Sequence, residues 1–214
     1  MKTRGFTLVE IIVVVSIISI LAGVSFINYS EATKRARDDD RKADIVTLKT
    51  AIELYKTRNG RYPAGCRAAG QWSGQIGTNY ACLDGSSQYI VALAPAFIPT
   101  LPQEKKLNGL DSGYVYATNA EGSVYKLEAK KTVESETLTT TSKFASCDVN
   151  DSSRSDGGIC GRVAASPWNG NQPSWCQDGD STFTSSYAVW GGYANAASDI
   201  DVEKNTENII CAIQ

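Results

Sequence analysis

The chain has 214 residues, 42% of them hydrophobic and 21% charged, with a net charge of −2. That size and balance suit one folded domain plus an anchor, and give no general affinity for nucleic acid. There is no histidine, which removes the commonest general base and metal ligand and excludes Ser-His-Asp and Cys-His catalytic sites.

The chain opens on a short basic stretch, Met1 to Gly5, with Lys2 and Arg4. An apolar run from Phe6 to Ile27 follows, carrying one charge, Glu10. As a helix it would span about 33 Å, enough to cross a bilayer core. It is too long for the apolar region of a secretory signal and no small-residue cleavage site follows it, so the run is expected to be kept. Glu10 is costly near the start of a lipid-facing helix. Two readings stand open on the residues alone: it meets a charged partner, or it simply reaches the headgroups.

The hexapeptide Gly5-Phe6-Thr7-Leu8-Val9-Glu10 resembles the processing signature of type IV prepilins and type II secretion pseudopilins. The resemblance implies cleavage between Gly5 and Phe6 by a membrane prepilin peptidase, methylation of the new Phe6 amine, and a pairing of Glu10 with the N-terminal amine of a neighbouring subunit. It implies a pilin-like α+β fold, a long N-terminal helix bearing a small antiparallel β-sheet head. The partners it implies are copies of the chain in a helical filament, the prepilin peptidase, a membrane assembly platform and its cytoplasmic ATPase. It also places the precursor in the inner membrane by a single span, with the head outside the cytoplasm in an extracellular or periplasmic filament. The basic residues themselves point both ways, since Lys34, Arg35, Arg37, Arg41 and Lys42 lie beyond the apolar run.

No proline occurs between Met1 and Arg61. Ile45, Leu48, Ile52 and Tyr55 follow steps of three and four, as one helix face requires, and Asn59-Gly60 is a stop signal. One nearly continuous helix is therefore expected from about Phe6 to about Arg58, roughly 80 Å long. The division that follows is a leader over 1–5, an apolar half-helix over 6–27, an amphipathic half over 28–59 and a head over 60–214. Ile27 stands where many members of the resembling family carry a proline, and Gly23 is the weakest helix former nearby. The charged run Lys34 to Lys42 reads as a solvated helix face, and in an assembly it would also set register through ion pairs.

Tyr55 to Pro63 resembles the end of the long helix in major pseudopilins, where a Tyr-Pro pair closes the helix onto the head. A short helix is expected after Ser86 or Ser87, with Ile90, Leu93 and Phe97 facing the core and Pro95 near its end. Leu101-Pro102 and Gly113-Tyr114-Val115-Tyr116 also resemble a pseudopilin pattern, although Gln103-Glu104-Lys105 stands where that pattern has Asp-Pro. Tyr114–Thr118 and Ser123–Ala129 read as a hairpin, with further strands at Tyr187–Trp190 and Asn208–Ile213.

Six cysteines, Cys66, Cys82, Cys147, Cys160, Cys176 and Cys211, lie after the apolar run without any C-x-x-C pair. They read as disulfides of an oxidising compartment, and their spacing is wrong for zinc. The spacing does not fix the connectivity. Cys66–Cys82, Cys147–Cys160 and Cys176–Cys211 is the pairing we favour, the last resembling the C-terminal disulfide region of many pilins. Asp148, Asn150, Asp151 and Asp156 form an oxygen-rich stretch that would be a weak calcium site. It lacks the glycine and terminal glutamate of an EF-hand, so an ordinary polar loop is the default and no cofactor is expected. Trp168, Trp175 and Trp190 read as head core rather than a binding surface. The function expected is a structural subunit of a type IV pilus-like filament and not an enzyme. A pseudopilin of a secretion or DNA-uptake machine is the alternative, with an anchored surface domain that never polymerises as a third reading.

Overall fold

The computed structural model of the chain describes residues 5–139, 142–145 and 184–192; for residues 24–28 only the helical backbone is described. One helix, α1, runs from Leu8 to Asn59, close to 80 Å of rod. Thr7 caps its start: the Thr7 side chain accepts from the Glu10 N–H and the Glu10 carboxylate accepts from the Thr7 N–H, a reciprocal capping box. The helix stops at Gly60, whose φ of 79° is a left-handed conformation that glycine enters without steric cost. Lys56 and Arg58 in the last turn oppose the partial negative charge of that end.

The second half of α1 seats a four-stranded sheet of β1 (Ser73–Gly74), β2 (Gly113–Thr118), β3 (Val124–Lys130) and β4 (Tyr187–Gly192), in that order and antiparallel throughout. This is an α+β architecture. Strand alternation sends one row of side chains to the helix. Tyr114 pairs across the ladder with Ala129, and Ala129 with Tyr187; Tyr116 pairs with Leu127, and Leu127 with Val189. Opposite them Ile45, Leu48, Ala51 and Ile52 are buried on α1. Full burial of a Leu or Ile side chain contributes about 1.5–3 kcal/mol. Gly191 ends the row because nothing larger fits: a Cβ there would lie 2.8 Å from the Tyr125 ring and 2.9 Å from the Glu53 carboxylate.

Two carboxylates on α1 and one beyond β3 take tyrosine hydroxyls from this layer or from the head segment beside it. Tyr114 donates to Asp44 at 2.7 Å, Tyr62 and Tyr125 both donate to Glu53 at 3.2 Å, and Tyr187 donates to Glu136 beyond β3 at 2.6 Å. The first two pairs join the sheet layer directly to the helix; Glu136 joins it indirectly, through Lys42 at 2.6 Å. The other face of the sheet also holds charge, with Lys126 bound to Glu128 at 2.7 Å and both nearly buried beside Trp72. The period-two pattern gives no warning of that pair.

The hairpin forms between the expected segments, its turn closed by the Asn119 side-chain oxygen accepting from the Ser123 N–H at 2.9 Å. The expected short helix after Ser86 does not form. Residues 91–97 make successive turns instead. Ala92 is left-handed at φ 61° and Pro95 has no N–H to give a helix. Ile90 and Leu93 are nonetheless buried, and Phe97 packs on the core beside Tyr55. Cys66 and Cys82 are joined in a disulfide, which closes a loop of a length worth about 3 kcal/mol in chain entropy. Trp190 lies half-buried in β4, while Trp168, Trp175 and the Asn208–Ile213 segment fall outside the described residues.

Leu48→Ala is expected to lower the unfolding free energy by about 2–5 kcal/mol. Leu54→Ala, on the exposed side of the same helix, should change it by less than about 0.5 kcal/mol. Urea unfolding of the detergent-solubilised protein checks both, and equal effects would contradict seating of the sheet on the Leu48 stripe.

Candidate functional site

Among the described residues, nothing of the head covers the first half of α1. Phe6 is 85% exposed and Leu21 62%, and the Val and Ile side chains between them are exposed on every side of the helix. Ser16 and Ser19 donate to the carbonyls of Ile12 and Val15 one turn back, so neither adds an unsatisfied donor to the apolar surface. Among the described residues no helical stretch is both long and apolar enough to cross a membrane. The described part of the apolar run ends at Gly23, about 22 Å from Leu8, and the sequence continues it through Ile27.

Glu10 is the one charge on this surface. Its Oε2 accepts from both the N–H and the hydroxyl of Thr7 at 2.8 Å; no hydrogen bond to Oε1 is seen among the described residues. The carboxylate thus caps its own helix with one oxygen and presents the other. Gly5 and Phe6 precede the first turn and are exposed. The signal for the cap was in the sequence as Thr-x-x-Glu before an apolar run.

Where the head begins, charges that the sequence suggested were solvated are buried. Arg41 donates to Asp38 at 2.7 Å, to Glu104 at 2.5 Å and to Glu134 at 2.8 Å. Asp38 in turn accepts from the Ser135 N–H at 2.7 Å and the Ser135 hydroxyl at 2.6 Å. Arg37 grips Glu134 with two bonds of 2.7 and 2.6 Å, and Lys106 reaches the same carboxylate. The side chains of Asp38 and Arg41 are 1% and 3% exposed. Their burial corrects the reading of Lys34 to Lys42 as a solvated face. The reason is spacing: 38, 41, 45, 48 and 52 are one run of three- and four-residue steps, so both charges continue the core stripe.

These contacts set the ionisation. Arg37, then Lys106 and Arg41, hold the Glu134 carboxyl well below the usual carboxylate range. Lys42 and the Tyr187 hydroxyl lower Glu136. Burial raises Asp44 against the lowering effect of the Tyr114 hydroxyl. Asp44 lines an open cleft of about 310 Å³ with Arg37, Asp40, Glu104, Lys105 and Tyr114.

Among the described residues, no group of three or more acidic or cysteine side chains is placed to hold a metal. The weak calcium candidates Asp148, Asn150, Asp151 and Asp156, and the cysteines Cys147, Cys160, Cys176 and Cys211, lie outside the described residues.

Residues 1–26 match the family described as the prokaryotic N-terminal methylation motif. The chain is 40% identical over 63 residues to type II secretion system core protein G of Pectobacterium carotovorum subsp. carotovorum, covering 29% of this chain and 40% of that protein. With the core protein G of Vibrio cholerae serotype O1 it shares 44% identity over 64 residues, 29% of this chain and 42% of that one. With the type IV major pilin protein PilA of Myxococcus xanthus it shares 34% over 61 residues, 28% of each chain. The chain therefore carries the methylation motif and is homologous in part to a pseudopilin and to a pilin; it spans about two fifths of the length of the core protein G relatives. No solved structure matches it.

Arg41→Met leaves buried Asp38 without its ion-pair partner and is expected to destabilise the head by about 3–5 kcal/mol. Because the folded-state pKa of Glu134 is depressed, its contribution is complete above about pH 5 and is lost as the pH falls through the ordinary carboxylate range toward the lower folded value. Urea midpoints from pH 7 to pH 3 should fall in wild type and fall less steeply in Glu134→Gln; identical profiles would contradict a structural role for that carboxylate.

Proposed function

We propose that this chain is a structural subunit of a type IV pilus-like filament. In this reading prepilin peptidase cleaves between Gly5 and Phe6, the Phe6 amine is methylated, and the subunits polymerise through the first half of α1. The observation that carries the reading is the apolar half-helix exposed on all sides and fixed to a folded head. Such a surface is stable in two settings. Lipid covers it in the inner membrane before assembly, and copies of the same half-helix cover it in a filament core. The exposed oxygen of Glu10 then has a function, since the amine of an incoming Phe6 neutralises it inside an apolar bundle. The head stays outside the cytoplasm, where the Cys66–Cys82 bond persists.

The partial homology to core protein G favours a second reading, a pseudopilin whose filament remains short and periplasmic in a type II secretion machine. Both readings use the same stem. Nothing in either asks for catalysis by the chain, and its partners beyond its own copies are the peptidase, the assembly platform and the ATPase behind it.

Glu10→Val should leave cleavage at Gly5 intact while the subunit recovered by shearing cells falls on the order of tenfold, because the incoming amine meets no counter-charge. Immunoblots of sheared and membrane fractions read both quantities. Undiminished fibres from Glu10→Val would contradict the assembly role of the carboxylate. Subunit that never leaves the membrane in wild type would favour the anchored domain.

A further inference from the structure

Among the described residues, one face of α1 is left uncovered by the head, and it carries an opposed pair of charges that no described contact joins. Arg35 is exposed and makes no ion pair among the described residues. Glu31, one turn before it, is held by Lys34 at 2.7 Å. Asp39 has 77% of its side chain exposed and among the described residues reaches only Lys42, at 4.0 Å, while Lys42 binds Glu136 at 2.6 Å. Within a helix, the order base-then-acid at four residues is the weaker orientation for a pair, which accords with Arg35 and Asp39 standing apart.

Their position is related to Glu10 by helix arithmetic. Asp39 follows Glu10 by 29 residues, close to eight full turns, so the two lie within about 20° of one azimuth on an unbroken helix. The core stripe of Ile45, Leu48 and Ile52 faces roughly 130° away. Arg35 precedes Asp39 by the same four residues that separate Phe6 from Glu10. Val46 and Thr50 repeat the spacing on this face, both exposed, with the Thr50 hydroxyl already bonded to the Val46 carbonyl at 2.9 Å.

We propose that this face docks a second, parallel copy of the chain displaced by one helical turn, with Arg35 of one copy paired to Asp39 of the next. The inference rests on the filament reading and specifies its register. A shift of four residues, about 6 Å, brings the Phe6 amine level with Glu10 of the neighbour and at the same time brings Arg35 level with Asp39. Unshifted copies would set Arg35 against Arg35 and Asp39 against Asp39. The pair is exposed and weak singly, but repeated at each subunit it selects one stagger against its neighbours by repulsion in the others.

Arg35→Asp and Asp39→Arg, expressed singly in cells that otherwise assemble the fibre, should each lower sheared fibre about tenfold with cleavage unchanged. Co-expression of the two single variants should restore fibre to within about twofold of wild type, since each supplies the charge that the other lacks. Arg35→Cys and Asp39→Cys, co-expressed and oxidised in sheared fibres, should give a covalent dimer that neither gives alone. Single variants that assemble normally would overturn the register pair and leave the filament reading intact. Defective single variants rescued only when both changes are in one chain would place the pair within one helix and equally overturn it, as would absence of the dimer in assembled fibres. Failure of the wild-type chain to form any fibre is the separate result that removes the filament reading itself.

Discussion

The molecule is organised by an imbalance along a single helix. The last half of α1 is covered by its own sheet through Ile45, Leu48 and Ile52. The first half presents Val, Ile and Leu on every side and is covered by nothing in the described chain. A helix of this kind cannot rest in water, because each exposed aliphatic side chain forgoes about 25 cal/mol for every Å² left uncovered. In the reading proposed above, lipid or other copies of the helix supply the cover. In the filament we propose, Glu10 governs that exchange, since a carboxylate in an apolar bundle needs a counter-charge.

The buried ionic junction marks where that stem becomes part of the head. Apolar contacts alone would let the sheet slide along the Leu48 stripe. Arg41 fixes the position by reaching Asp38 on its own helix, Glu104 before β2 and Glu134 after β3. Gln75 holds the Glu104 segment to β2, accepting from the Glu104 N–H at 2.8 Å and the Tyr114 N–H at 3.1 Å. Such networks add little net stability compared with an apolar replacement, but a misplaced partner leaves a buried charge unpaired. The junction therefore specifies one seating of the head on the stem.

The extent of the helix, its stop at Gly60, the hairpin and the strand at Tyr187 were legible because each rests on local chemistry: proline absence, a left-handed glycine, alternation. The short helix expected after Ser86 or Ser87 does not form, since the apolar spacing of Ile90, Leu93 and Phe97 also fits the consecutive turns over 91–97 that deliver the same side chains to the core. Lys34 to Lys42 misled for a different reason. Charge density suggested solvent, while the positions of Asp38 and Arg41 continued the buried stripe, and position won because Glu104 and Glu134 arrive from distant parts of the chain. No local pattern carries that information. The cap at Thr7 and Glu10 was legible but hidden behind the processing signature that shares its residues.

The most direct test of the account is the intact mass of the protein recovered by shearing cells and collecting extracellular fibres. The account predicts a chain that lacks Met1 to Gly5 and carries one methyl group on Phe6. A full-length chain that stays with the membrane, with no subunit in the sheared fraction, would contradict it and leave the apolar half-helix as a plain anchor.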